Sequence, residues 1–126
     1  MHRSRSSAIA VVLGACLTQA VQAQPGDVKR GADVFAAQCS ECHSARAGKN
    51  KKGPTLFAVM GRRAGETPDF KYSDAMRQSG WNWDSETLQR YLAQPKSALP
   101  GGSMKYDGLS DQKALEDLLA YLGTLK

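Results

Sequence analysis

The sequence predicts a small helical domain in which the first and last helices pack across each other. Near the C-terminus, apolar side chains recur with the i, i+3, i+4, i+7 spacing of one helix face: Leu115, Leu118, Leu119 and Leu122. Near the start of the domain, Val28, Ala32 and Phe35 follow the i, i+4, i+7 spacing. Gly31 lies close to that face, and we interpret it as the point where another helix approaches.

The central motif is Cys39-Ser40-Glu41-Cys42-His43, which is typical of covalent c-type haem attachment. Each thiol can add to one haem vinyl group, and the histidine that follows can ligate the iron. Zinc sites and thioredoxin-like proteins also use Cys-x-x-Cys. Downstream of the N-terminal segment, however, the only Cys and His residues are those of this motif, which leaves a zinc site one ligand short. No convincing apolar strand pattern flanks it, which disfavours a thioredoxin-like domain. We therefore predict one haem c, bound through Cys39 and Cys42.

The N-terminal residues 1–23 have the features of a signal peptide. Arg3 and Arg5 precede an apolar run over 8–17, and small residues at 21–23 predict cleavage after Ala23, leaving 24–126 as the haem domain. The run is too short to span a bilayer comfortably, so a retained anchor is the weaker alternative. A second alternative is lipidation of Cys16, because residues 13–16 resemble a bacterial lipoprotein box. Export to the periplasm is the favoured prediction.

The size and charge of the remaining domain limit its partners. Without Arg3 and Arg5, 15 basic side chains face 12 acidic ones, a formal charge of +3. This modest basic bias favours acidic protein surfaces and is too weak to argue for nucleic acid. A core of about a hundred residues is marginal, so we expect the haem to form part of it.

The remaining elements are predicted from their caps. Asp27 caps the first helix, which runs toward Cys39, and 44–53 is a polar loop. Ser73 caps a short helix ending at Gly80. Asp84 caps a helix that stops at Pro95 and whose inner face is Leu88, Tyr91 and Leu92. Ser110 is predicted to cap the last helix, with Leu109 and Ala114 as a hydrophobic staple and a polar face of Asp111, Lys113, Glu116 and Asp117.

Several side chains are candidates for the surroundings of the haem. The Pro54 carbonyl can accept the second ring N–H of His43. Arg62 or Arg63 can neutralise a buried propionate. Large rings with one polar atom suit a haem pocket, and the chain offers Tyr72, Trp83 and Tyr91, although all three can equally be core aromatics.

A methionine is the candidate for the second axial ligand. A thioether completes an electron-transfer site and raises its reduction potential. Met104 lies on the irregular loop Leu99-Pro100-Gly101-Gly102-Ser103-Met104, whose backbone can turn a side chain inward. Met60 lies near the proximal loop and Met76 in a short predicted helix. Methionine is also a common core filler, so this argument leaves the choice open.

These motifs together resemble a class I cytochrome c of the mitochondrial and bacterial c2 type over essentially the whole domain. The resemblance is carried by residues 39–43, 53–56, 72–75, 91–96 and 100–104, with Gly31, Phe35, Trp83 and Tyr121. It implies an all-α fold with crossed terminal helices around one haem c. It also implies His43 and Met104 as axial ligands, a bond from His43 to the Pro54 carbonyl, Tyr91 near the Met104 sulfur, and, around the propionates, Arg62, Tyr72 and Trp83.

The chain departs from the family pattern at the exposed haem edge and in the ligand loop. Gln38 and Ser103 replace lysines that mitochondrial-type members commonly carry, Gly102 replaces a hydroxyl residue, and Met76 replaces a polar residue near the haem. We therefore expect a less basic docking face and a looser Met104 loop.

The function expected from these features is that of a soluble, monomeric, single-haem electron carrier and not an enzyme. It would exchange one electron with redox proteins docking at the haem edge. Peroxidase activity is an alternative, but it needs a distal acid or base, and the domain has no second histidine. Two further alternatives are a haem subunit of a periplasmic dehydrogenase and a lipid-anchored carrier.

Overall fold

The structure, a computed structural model, describes residues 25–126. This part of the chain forms five helices: α1 (Val28–Gln38), α2 (Asp74–Arg77), α3 (Ser85–Ala93), α4 (Pro95–Ala98) and α5 (Gln112–Leu122). Extended pairing within it is limited to one isolated bridge between Arg63 and Asn82. The all-α prediction is confirmed. The predicted signal peptide, with Cys16, lies outside the described residues.

The contact between α1 and α5 is the main helix packing of the molecule, as the sequence predicts. At Gly31 a side chain is impossible without movement, because a Cβ atom there would lie 1.9 Å from the Asp117 carbonyl oxygen. One turn further along, the rings of Phe35 and Tyr121 pack with centroids 5.4 Å apart. The first and last helices therefore cross at Gly31.

The predicted polar face of α5 is wrong at Asp117, whose side chain is 3% exposed. Its carboxylate accepts hydrogen bonds from the Asp27 backbone N–H at 2.7 Å, from Arg30 Nε at 3.0 Å and from Lys113 Nζ at 2.8 Å. These donors hold its pKa well below the ordinary range of an aspartate. Asp117 thus joins the C-terminal helix to the start of α1.

Two helix boundaries differ from those predicted, and one short helix was not predicted. The cap of α5 is Asp111, whose side chain accepts from Ala114 N–H at 2.7 Å, and not Ser110. The short helix capped by Ser73 ends at Arg77, before Gly80. Pro95 ends α3 but also begins α4, because a proline without N–H suits the first helical position.

The predicted inner face of α1 is also wrong at its first position. Val28 is 45% exposed, whereas Gly31 and Phe35 are buried. Val28 lies in the first turn of α1 with its side chain exposed, so its apolar spacing does not indicate a buried position.

Candidate haem-binding site

A cavity of about 460 Å³ lies between α1, α3 and the irregular segments around them, within the size range of ligand pockets. All the predicted site residues line it: Cys39, Cys42, His43, Pro54, Arg62, Tyr72, Trp83, Tyr91 and Met104. Most of its wall is apolar, with side chains from Leu56, Val59, Met76, Leu88 and Leu122. The structure therefore brings the predicted site residues, which are up to 65 positions apart in the sequence, into one pocket.

The two thiols face this cavity from the C-terminal end of α1. Cys39 is the C-cap, and the next turn is closed by hydrogen bonds to its carbonyl from Cys42 N–H at 3.1 Å and His43 N–H at 2.9 Å. Both cysteines are free and half-buried. Burial, with the neighbouring Cys42, raises the pKa of the Cys39 thiol to about 11, whereas a redox-active Cys-x-x-Cys pair has a lowered thiol pKa. The site does not fit a thioredoxin-like thiol pair.

Nor does the site fit zinc. Within residues 25–126, no group of three or more His, Cys, Asp or Glu side chains is placed to hold a metal ion. Zinc sites in proteins draw most of their ligands from those side chains.

The His43 ring is fixed by the segment that follows it. Its Nδ1 lies 2.7 Å from the Pro54 carbonyl oxygen, so Nδ1 carries the proton and Nε2 has a free lone pair for a metal. Gly53 permits this arrangement, because a Cβ there would lie 2.4 Å from His43 Cε1. Burial lowers the pKa of His43, which favours the neutral imidazole.

Arg62, and not Arg63, is the arginine at the cavity. It donates from Nη1 to the Phe57 carbonyl at 3.0 Å and from Nη2 to the Thr55 carbonyl at 2.9 Å. Its Nε is buried with no hydrogen-bond partner within the described chain, as expected where a bound anion would complete the site. Arg63 is not among the residues that line the cavity, and its exposed side chain pairs with Glu66 at 3.0 Å.

Aromatic rings form one wall of the cavity. Trp83 and Tyr91 are buried, with ring centroids 5.3 Å apart, and burial raises the pKa of Tyr91. Tyr72 also lines the cavity, and its hydroxyl accepts a 3.3 Å hydrogen bond from Thr67 N–H. Each ring adds an apolar face, and the two tyrosines add a hydroxyl.

Two methionines reach the cavity. Met104 lines it from the loop after α4, and Met76 lines it from α2. Met60 packs against the core but is not among the lining residues.

The sequence analysis missed one lining residue with a specific contact. The Tyr106 hydroxyl donates to Gln38 Oε1 at 3.1 Å, although 68 positions separate the two residues. The only signal for it in the sequence is an aromatic residue two positions after Met104, which does not identify the partner.

Paired free thiols, an oriented imidazole and an apolar cavity with an unpartnered arginine nitrogen fit a covalently attached haem and define a c-type cytochrome. The chain matches the Cytochrome c family model over residues 28–126 and belongs to that family. It therefore carries one haem c attached through Cys39 and Cys42, and the class I fold and single-haem electron carrier predicted from the sequence are confirmed.

Similar proteins come from fungi and bacteria. Cytochrome c of Gibberella zeae is 42% identical over 98 residues, 77% of this chain and 92% of the relative. Cytochrome c2 iso-2 of Magnetospirillum molischianum is 47% identical over 88 residues, which are 70% of this chain and 91% of the relative. The solved structure of cytochrome cH from Methylobacterium extorquens has 43% identity and a TM-score of 0.73, covering 79% of this chain and 99% of that one.

Proposed function

We propose that the protein is an exported periplasmic electron carrier whose haem iron is ligated by His43 and Met104. The observation that carries the proposal is that both side chains line one cavity, with His43 Nδ1 already committed to the Pro54 carbonyl at 2.7 Å. A histidine and a thioether together favour a low-spin iron that cycles between ferric and ferrous states at a raised potential. The haem supplies the electron chemistry, and the chain supplies ligation, orientation and burial.

Three further side chains support the electrostatic part of this proposal. We assign Arg62, Tyr72 and Trp83 to the propionates, because the unpartnered Arg62 Nε offers a buried donor and the other two residues line the same cavity. A charge-assisted bond to an anion is stronger than a neutral one. Tyr91 lines the cavity together with Met104 and is assigned to the sulfur side.

The periplasmic location rests on the signal-peptide pattern of residues 1–23 and on relatives named cytochrome c2 from bacteria. Among the helices of residues 25–126, none has the length and hydropathy needed to cross a bilayer. We propose a monomer that exchanges electrons with donor and acceptor proteins at the exposed haem edge.

Visible spectroscopy tests the ligand assignment. The oxidised protein is expected to show the weak far-red band of a ferric iron to methionine sulfur bond, and Met104→Ala is expected to remove it. Met60→Ala is the matched control, because Met60 contacts the core outside the cavity and its loss should leave the band in place.

Two results would contradict the proposal. A haem spectrum without the far-red band would favour a peroxidase or ligand-binding protein. Stable co-purification with a dehydrogenase would favour a dedicated enzyme subunit over a free carrier.

A further inference from the structure

We propose that the hydrogen bond between Tyr106 and Gln38 is a strap that holds the Met104 loop closed over the mouth of the haem cavity. The strap sets how readily a small external ligand displaces Met104 from the iron. This inference rests on the proposed function, because it takes Met104 to be the axial ligand. Tyr106 and Gln38 act as positioning residues.

The loop around Met104 is weakly tied to the rest of the molecule by its backbone. The last backbone bond before it runs from Gly102 N–H to the Leu99 carbonyl, and the first after it from Leu109 N–H to the Leu92 carbonyl. Across the described chain, no backbone–backbone hydrogen bond involves residues 103–108. The position of Met104 must therefore depend on side-chain contacts.

Two side-chain pairs connect this loop to neighbouring helices. Lys96 of α4 pairs with Asp107 at 2.6 Å, but the two side chains are 70% and 94% exposed, and such pairs contribute little. The other pair joins the half-buried Tyr106 to the exposed Gln38 at 3.1 Å, and it differs from the ion pair because the Tyr106 ring lines the cavity. Gln38 is the last residue of α1 and directly precedes Cys39, so this bond links the Met104 loop to the helix end that holds the haem.

Both partners of the strap line the cavity at its edge. Tyr106 is half-buried, and its neighbours Ser103 and Lys105 line the cavity as well. Tyr106 therefore lines the cavity and is also partly exposed to solvent, and its hydroxyl reaches Gln38, which lines the cavity from the end of α1. To move Met104 away, the loop must first break this bond.

Imidazole binding to the oxidised holoprotein measures the effect. Imidazole can replace Met104 only when the loop is open. Removing the strap increases the population of the open loop, and the apparent affinity for imidazole rises by the same factor. Tyr106→Phe keeps the ring and removes the hydroxyl. We expect its imidazole affinity to rise about two- to tenfold, the range given by the net value of one hydrogen bond. Tyr121→Phe is the matched control, because that ring packs on Phe35 at the helix crossing, and its affinity should not change.

A double-mutant cycle separates the strap from a general loss of packing. Gln38→Leu should have an effect similar to Tyr106→Phe, and the double variant should bind imidazole no tighter than the stronger single variant, because both changes remove the same bond. If the two substitutions have additive effects on imidazole affinity, or if Tyr106→Phe leaves that affinity unchanged with the far-red band intact, the strap is overturned. The assignment of Met104 as ligand is unaffected by either result. A missing far-red band in the unmodified protein overturns both.

Discussion

At the residue scale, Arg62 and Arg63 are neighbours in the sequence but lie in different surroundings, because only Arg62 lines the cavity. The Arg62 guanidinium is held by the Thr55 and Phe57 carbonyls at the cavity wall, and burial lowers its pKa without neutralising it. Arg63 forms an exposed pair with Glu66. The local pattern left the two residues as equal candidates, because a one-residue shift in an irregular segment has no periodicity to detect, and only the family resemblance pointed to Arg62.

Arg62→Gln is expected to lower the reduction potential of the haem. A cation beside the haem favours the ferrous state, and its removal costs on the order of 1 to 2 kcal/mol, or roughly 40 to 90 mV for one electron. Arg63→Gln carries the same charge change at the surface, where solvent screens it, and should shift the potential by less than about 15 mV. Redox titration of the two variants checks this. Equal shifts would show that Arg62 has no special proximity to the haem.

At the element scale, the crossing of α1 and α5 depends on the absence of a side chain at Gly31. Gly31→Ala would place a Cβ 1.9 Å from the Asp117 carbonyl oxygen, so the helices must separate. Overpacking against a rigid backbone costs at least about 2 kcal/mol of unfolding free energy. Gly123→Ala is the control, because Gly123 has helical φ and ψ and its Cβ would meet nothing closer than 3.5 Å. Chemical denaturation of both variants measures the difference, and similar losses would contradict the close-approach argument.

The buried Asp117 makes the same helix pair sensitive to acid. Its folded pKa is lowered, so the stabilisation is complete above the ordinary aspartate pKa of about 3.9 and is lost as the pH falls below it toward the folded value. Asp117→Asn should therefore be less stable than the unmodified protein at about pH 7, and the gap should narrow at about pH 3.

Asp33→Asn serves as the control for Asp117→Asn, because Asp33 lies on the exposed face of α1. If the stability difference between Asp117→Asn and the unmodified protein is the same at both pH values, the substitution acts through packing and not through loss of the ionised carboxylate.

The positions of the helices were largely predictable from the sequence, whereas the distant residues that they contact were not. Asp27, Ser73 and Asp84 cap the helices that the sequence assigns to them, since a cap is read from the few residues around it. Asp117 was placed on the solvent face because its spacing matches the other polar residues of α5. Its burial follows from Arg30 and the start of α1, about 90 residues away, which no local pattern reveals.

On the scale of the whole molecule, the cavity replaces what would be the middle of the hydrophobic core. Its walls come mainly from α3 and the irregular segments, which contribute Leu88, Tyr91 and Trp83, with Met76 of α2 and Leu122 of α5 completing them. The helix crossing is packed by other side chains, among them Leu115 and Leu118. The motifs and the family resemblance predicted residues that line this cavity, whereas the Tyr106 contact with Gln38 depends on how the whole chain folds around it.

We therefore expect the chain without haem to lack a fixed tertiary structure. Without haem, the largely apolar walls of the cavity of about 460 Å³ would face water, and a domain has only about 5 to 15 kcal/mol of stability to offset that exposure, so the walls should collapse or unfold instead. In Cys39→Ala/Cys42→Ala prepared without haem, the near-ultraviolet circular dichroism of Trp83 and Tyr91 should vanish, and amide protection in α3 should be lost. The haem-loaded protein is the reference for both measurements. An apo-protein with a resolved near-ultraviolet spectrum and protected α3 amides would mean that the core forms without its cofactor.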